Sequence, residues 1–218
     1  MSADYYSEDA PAPDSIRIDT FRDGGTGSLL MFRDSFGNSL YPFMADTFEN
    51  STFSRLMPYR MDWLDAGAYD HVVVEIVERN LKNLAQQAPV MAAPEVSLNN
   101  DVTDGENISA SAEISASRDL AGYCMISGVY DSAGVDEDTG VYICFEGEST
   151  GADPENAGTG GGSAVYEAFP VGSGISEQQT DACFTAYIPE EVLNGSEFSV
   201  ILSKNGTLCR VPCEQVRK

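Results

Sequence analysis

The spacing of apolar residues changes at "QQAPVMAAPEV", residues 86 to 96, and this change constrains the fold more than any other feature of the chain. Two prolines and several alanines interrupt the periodicity there. Before this stretch, short apolar runs alternate with segments of helical spacing. After it, runs that alternate apolar and polar residues are separated by turn signals. The expectation is two segments of different class: residues 1–94 as an α/β segment and residues 95–218 as an all-β domain, a β-sandwich.

In the first segment "SLLMF" is a continuous apolar run, the pattern of a strand covered on both faces. Beyond it Leu40, Phe43, Met44 and Phe48 recur at helical spacing, and Pro42 suits a first helical turn. "STFSRLMPY" reads as extended, "MDWLDAG" as a short helix, "HVVVEIV" as a β-branched strand and "ERNLKNLAQQ" as helix. The order β-α-β-α-β argues for a parallel sheet, and right-handed crossovers would point its three strands the same way. In the second segment "NISASAEIS", "YCMISGVY", "GVYICFEG", "AVYEAFPV", "ACFTAYIP", "FSVILS" and "TLCRV" are strand candidates. "DSAG" and "EDTG" flank position 135, and "NG" occurs at 194–195 and 205–206, where hairpin turns are expected. About seven short strands suit a sandwich. "GESTGADPENAGTGGGS", residues 147 to 163, reads as a long loop.

The 218 residues suit one large domain or two small ones, and carry 35 acidic and 12 basic side chains, a net charge of −23. Such a field repels nucleic acid and anionic lipid, and both are set aside as partners. No apolar stretch reaches the roughly 20 residues needed to cross a bilayer, so membrane insertion is not expected. "MSADYYSEDAPAPDS" lacks the basic and apolar regions of a secretory signal and, taken literally, places the chain in the cytoplasm. The five cysteines, Cys124, Cys144, Cys183, Cys209 and Cys213, show no C-x-x-C spacing, and the one histidine, His71, is far from them in sequence. Zinc and a complete disulfide framework are not expected. No cofactor is expected.

Open parallel sheets place their sites beyond the carboxyl ends of the strands. Ser35 follows the first strand, Tyr59 and Arg60 the second, and Glu78, Arg79 and Asn80 the third, so these residues would share one edge. Ser35 would also open a helix, whose amino-terminal N–H groups can hold an oxyanion. Ser35 thus becomes a candidate nucleophile, with Arg60, Glu78 and Arg79 as candidate substrate contacts. The competing readings are local: Ser35 as a helix cap, and Glu78–Arg79 as a structural ion pair.

"MFRDSFGNSLYPFMADTF" followed by "YDHVVVEIVERNL" resembles the C-terminal part of SGNH-fold hydrolases and acetyltransferases, in particular the DHHW-type and alginate O-acetyltransferase-like proteins. The resemblance covers about residues 15 to 95, with the family's serine at Ser35 and its strand-to-helix motif at Val74 through Leu81. It implies a partial SGNH- or flavodoxin-like parallel sheet, followed in some members by a carbohydrate-binding β-sandwich. It implies acyl, mainly acetyl, ester chemistry on a cell-surface polysaccharide and an extracellular or cell-surface location. In that family an Asp-x-His pair lies upstream of the serine; here no histidine precedes Ser35. His71 stands before its strand, at the opposite end of the sheet from Ser35. The chain is therefore expected to be a truncated enzyme that is inactive alone, with an incomplete sheet open to self-association or to a partner.

Two other readings stand beside this one. The second segment could bind a polysaccharide or acylated glycan through Tyr123, Tyr130, Tyr142, Tyr166 or Tyr187, each of which could instead pack in the sandwich. "DSAGVDEDTG", residues 131 to 140, offers Asp131, Asp136, Glu137 and Asp138 as calcium ligands, although its spacing departs from that of an EF-hand.

Overall fold

A computed structural model describes residues 12–64, 69–105, 108–130, 139–145, 164–172, 182–193 and 196–218. The chain divides into two compact units, Met1–Val90 and Met91–Lys218. The expected class, a partial SGNH/flavodoxin-like α/β segment joined to a β-sandwich, is overturned: among the described residues 48% are strand and only 15% helical, a mostly-β fold.

The first unit holds a four-stranded sheet in the order β1-β3-β2-β4, formed by β1 (Arg17–Phe21), β2 (Ser28–Phe32), β3 (Asn50–Ser54) and β4 (His71–Val74). β2 pairs in parallel with β3 and β4, while β1 lies antiparallel on the outside of β3. The continuous apolar run of β2 follows from its central place. Leu29 and Met31 face one core with Ile18, Tyr41, Ala45 and Phe53, and Leu30 and Phe32 face another with Tyr59 and Trp63. The crossovers are single turns rather than the helices of an α/β fold. After β2 a 3-10 turn, Phe36–Ser39, leads into α1 (Tyr41–Ala45). A 3-10 turn, Met61–Leu64, precedes β4, and another, Glu78–Asn80, leads into α2 (Lys82–Gln86). The helical period around α1 was legible but its phase was not. The side chains that reach the core are Tyr41, Met44, Ala45 and Phe48, whereas Leu40 and Phe43 are exposed.

The second unit is one hydrogen-bonded sheet of nine strands instead of two stacked sheets. Its strands are β5 (Val102–Asp104), β6 (Ala110–Ala116), β7 (Tyr123–Tyr130), β8 (Gly140–Phe145), β9 (Ala164–Gly172), β10 (Ala182–Pro189), β11 (Phe198–Lys204), β12 (Thr207–Val211) and β13 (Cys213–Arg217), with the turn α3 (Glu190–Leu193) after β10. The order is β13-β6-β7-β10-β9-β8-β11-β12-β5, with parallel pairs at both margins (β13 with β6, β5 with β12). The sheet curls because β9 changes partner along its length. Ala164–Ala168 pair with β8, and Phe169–Gly172 pair with β10. One core then takes side chains from both halves: Ala112, Ile114, Ile126 and Phe184 meet Ile143, Phe145, Phe198 and Val200.

Where β9 leaves β10, the segment after Met91 fills the wedge. Ala92 bridges to Tyr187 of β10 and Glu95 to Tyr166 of β9, and the carbonyl of Pro94 accepts the Glu167 N–H at 2.9 Å. The proline-rich stretch that interrupts the periodicity is thus part of the second unit's hydrogen bonding. The "NG" at 205–206 makes the β11–β12 hairpin turn, with φ of 49° at Asn205 and 78° at Gly206. The "NG" at 194–195, the 147–163 loop and the acidic loop with Asp131, Asp136, Glu137 and Asp138 lie outside the described residues.

Gly128, opposite Phe184 in the β7–β10 register, has no room for a side chain. A Cβ there would stand 2.2 Å from the Phe184 ring and 2.7 Å from the Ser111 carbonyl oxygen. Gly128→Ala is expected to destabilise the second unit by roughly 1–3 kcal/mol through overpacking, read as a lowered urea midpoint.

Candidate functional site

The parallel strands β2 and β4 end side by side, with Phe32 level with Val74, and the chain segments that leave them are tied together by Asp34. Its Oδ1 accepts the Phe36 N–H at 2.8 Å; its Oδ2 accepts the Val77 N–H at 2.9 Å and the Asn80 Nδ2–H at 3.0 Å. The Asp34 N–H donates to Glu75 Oε2 at 3.1 Å. Burial opposes the charge on Asp34, but the donors from Val77, Phe36 and Asn80, helped by the Arg79 cation, outweigh it and hold the carboxyl below its usual range.

Ser35 is exposed at the first position of the 3-10 turn, with φ −67° and ψ −22°, and its side chain makes no capping bond. The cap is supplied by Asp34 instead, so the alternative reading of Ser35 as a capping residue fails. The oxyanion expectation also weakens. The helix after Ser35 is a four-residue 3-10 turn, and the Phe36 N–H is already taken by Asp34. Gly37 lets the turn fold back on β2, since a Cβ there would meet Arg33 Cβ at 2.6 Å and Glu75 Oε2 at 2.7 Å.

Beneath the turn Arg33 is 2% exposed. Its guanidinium bonds to Asn38 Oδ1 and to the carbonyls of Pro13 and Ser15 at 3.0 and 3.2 Å, and lies 5.2 Å from the Tyr41 ring centre. Burial, together with the nearby Arg55 cation, lowers its pKa from the ordinary value. Tyr59 is buried against Phe32, its ring centre 4.8 Å away. Burial raises the pKa of its phenol, and the Asp34 and Glu75 carboxylates raise it further.

Of the candidate contacts, Glu78 and Arg79 lie in the loop that Asp34 fastens. Glu78 is exposed at the start of its 3-10 turn, and the Arg79 guanidinium lies 5.1 Å from the centre of the ring of Phe36, the residue after Ser35. Arg60 has other partners. It holds the Asp62 carboxylate through two bonds of 2.7 and 2.6 Å and lies 6.0 Å from the Trp63 ring centre, and none of these contacts is with the Ser35 turn. His71 pairs with Leu29 near the start of β2, the end of the sheet away from Ser35, and its ring packs 5.3 Å from Phe48. Asp70 forms the loop-to-strand turn before it, accepting the N–H and hydroxyl of Ser28, each at 2.8 Å.

The sequence reading passed over Asp34, Gly37 and Glu75. Asp34 could have been found, because an Asp before a turn commonly bonds a backbone N–H two residues on. Nothing local marks Glu75, whose partner lies on another strand.

In the second unit Tyr130, Tyr166 and Tyr187 are buried, and Tyr142 packs against Cys144, Val165 and Ile201. Tyr130, Tyr166 and Tyr187 are therefore not available as an aromatic platform for a glycan. All five cysteines are free, and burial pushes the Cys213 thiol up to about 11. Among the described residues no group of three or more His, Cys, Asp or Glu is placed to hold a metal ion, and no helix is long and apolar enough to cross a membrane.

Because the Asp34 carboxyl is depressed in the folded state, it adds stability above its unfolded value of about 3.9. That contribution is lost as pH falls through that value toward the lower folded one. Asp34→Asn keeps one acceptor but turns an NH2 toward a donor. It is expected to cost roughly 1–3 kcal/mol at neutral pH and to flatten the acid limb below about pH 4, measured by denaturant titration across pH.

No protein-family model matches this chain, and no curated protein is similar enough in sequence to stand as a relative.

Proposed function

We propose that the carboxyl edge of β2 and β4 is half of an acyl-transfer site, which contributes the nucleophile and not the base. The observation that carries this reading is the Ser35 hydroxyl, exposed and released from capping because Asp34 does that work. In the reaction Ser35 Oγ attacks the acyl carbon of an ester, its proton passes to a base that returns it to the departing sugar oxygen, and water then cleaves the acetyl-serine to release acetate and restore the hydroxyl. The Arg79 cation, held over the ring of the neighbouring Phe36, would be the group to stabilise the charge that develops. The full sequence contains one histidine, at the other end of the sheet, so a histidine base would come from outside these 218 residues. The substrate class, an acetyl ester of a polysaccharide, rests on the likeness of "RDSFGNS" and "VVVEIVERNL" to the SGNH-type enzymes, a likeness of motif and not of fold.

The chain alone is expected to release no acetate from an acetylated polysaccharide. With imidazole supplied in solution as the base, it is expected to release acetate and to form an acetyl adduct on Ser35, seen by mass spectrometry. Ser35→Ala should abolish both without changing the melting temperature. Equal acetate release by the two proteins would remove Ser35 from the chemistry.

A further inference from the structure

We propose that Arg33 is a positioning residue for the Ser35 turn and that the N-terminal turn, residues 12–15, governs it: attachment of that turn to the sheet and order in the Ser35 turn are one coupled state. The N-terminal turn is closed by the Ser15 N–H, which donates to the Ala12 carbonyl at 2.9 Å. The carbonyls from Pro13 to Ile16 then alternate between two arginines, one directly after β2 and one directly after β3. Pro13 and Ser15 accept from Arg33 Nη2 at 3.0 and 3.2 Å. Asp14 accepts from Arg55 Nη1 at 3.0 Å, and Ile16 from the Arg55 N–H at 2.7 Å. Four consecutive peptide groups are thus tied to the carboxyl ends of two parallel strands. The bearing of this tie on catalysis rests on the acyl-transfer reading of Ser35; the coupling itself does not.

Arg33 carries the tie on to the turn that bears the serine. Its backbone stays in the sheet, with the N–H donating to the Ser54 carbonyl at 2.8 Å. Its Nη1 donates to Asn38 Oδ1, and its stem packs so closely on the turn that a Cβ on Gly37 would stand 2.6 Å from Arg33 Cβ and 3.2 Å from Cδ. A cation only 2% exposed must keep its acceptors, because a buried charge left without them is strongly destabilising. Its three acceptors are neutral oxygens, two from the N-terminal turn and one from the Ser35 turn, and Nε has none among the described residues. Loss of the two carbonyls leaves the guanidinium with Asn38 alone. Its movement toward water is then favoured, and that movement disturbs both the Asn38 bond and the packing of Gly37. A change at either turn is felt at the other, as linkage requires. Asp34 holds the same turn from the β4 side, so Arg33 is the second tie, and the one that reaches beyond the candidate site. Whatever draws residues 12–15 off the sheet loosens the Ser35 turn without touching it.

The test uses the full chain and three single variants, read by amide hydrogen exchange. Ser15→Pro removes the N–H that closes the N-terminal turn and leaves both arginines in place. It is expected to speed exchange about tenfold at Asn38 and Leu40, whose N–H groups bond to the Ser35 and Gly37 carbonyls, while Met31 in β2 keeps its protection. Asn38→Ala, made in the Ser35 turn, is expected to speed exchange by a similar factor at Ser15. Asn38→Asp keeps an acceptor for Arg33 and should leave Ser15 protected. A purely local role for each contact gives a different result: faster exchange only in the turn that carries the substitution. That result for either Ser15→Pro or Asn38→Ala would overturn the proposal, as would equal loss of Ser15 protection in Asn38→Asp and Asn38→Ala. Where Ser15→Pro also deprotects Met31, the two Asn38 variants decide. With imidazole as the base, Ser15→Pro should in addition slow acetyl transfer to Ser35, because the hydroxyl is less well placed. If the unaltered chain forms no acetyl adduct, the acyl-transfer reading falls and the exchange results still judge the coupling.

Discussion

The carboxylate of Asp34 holds the carboxyl edge of the first unit together. Three donors converge on it, two from the segment after β4 and one from the turn after β2, while its own N–H reaches Glu75. A single short side chain thereby fixes the place of Ser35, Phe36 and Arg79 relative to one another. Ordering two loops costs conformational entropy, and charge-assisted hydrogen bonds are among the few local contacts strong enough to offset it. Because the same carboxylate takes over the capping role, the serine beside it is left with an unengaged side chain facing solvent. The rigidity of the turn and the availability of the hydroxyl have a common cause.

A comparable constraint organises the second unit. β9 cannot pair along its whole length with either neighbour, because its first half follows β8 and its second half follows β10. Splaying two strands exposes backbone groups that must find partners. The residues after Met91 provide them at Tyr166, Glu167 and Tyr187. The curl lets Ile126 and Phe184 share a core with Ile143 and Val200, so a single sheet encloses its own interior. The β13 margin reaches across to β11 through side chains, with Gln215 Nε2 donating to the Phe198 carbonyl at 2.7 Å and Arg217 to that of Ser196 at 3.1 Å.

Legibility in the sequence followed the range of the interactions. The run "SLLMF" announced a strand buried on both faces, "HVVV" announced a β-branched strand, and "NG" at 205–206 announced its hairpin, because each signal is carried by adjacent residues. β1 escaped notice although Ile18 alternates with the exposed Arg17 and Asp19. β3 was only partly legible, since Ser51, Thr52 and Ser54 are buried polar residues. Thr52 is tolerated there because its hydroxyl lies 2.7 Å from Asp19 Oδ1 and 2.9 Å from the Tyr69 hydroxyl, partners distant in sequence. The α/β expectation failed for a local reason that was visible but underweighted. Gly37 and Pro42 break the first crossover into a 3-10 turn and a single α turn, too short to layer a sheet. At the site, the serine and its neighbours on the 78–80 loop could be placed on one edge from strand order alone. The pairing of Arg60 with Asp62, and the role of Asp34, could not.

By itself the sequence marked several of the strands, the place where the chain changes character, and that no histidine stands near Ser35 in the chain. These depend on composition and on contacts a few residues apart. Only the tertiary structure decided that the second unit is one curled sheet, that the proline-rich stretch is woven into it, and that Asp34 rather than Ser35 caps the turn. Those outcomes depend on which distant backbone groups find each other, and a hydrogen bond between residues 40 or more apart leaves no periodic trace in the order of the amino acids.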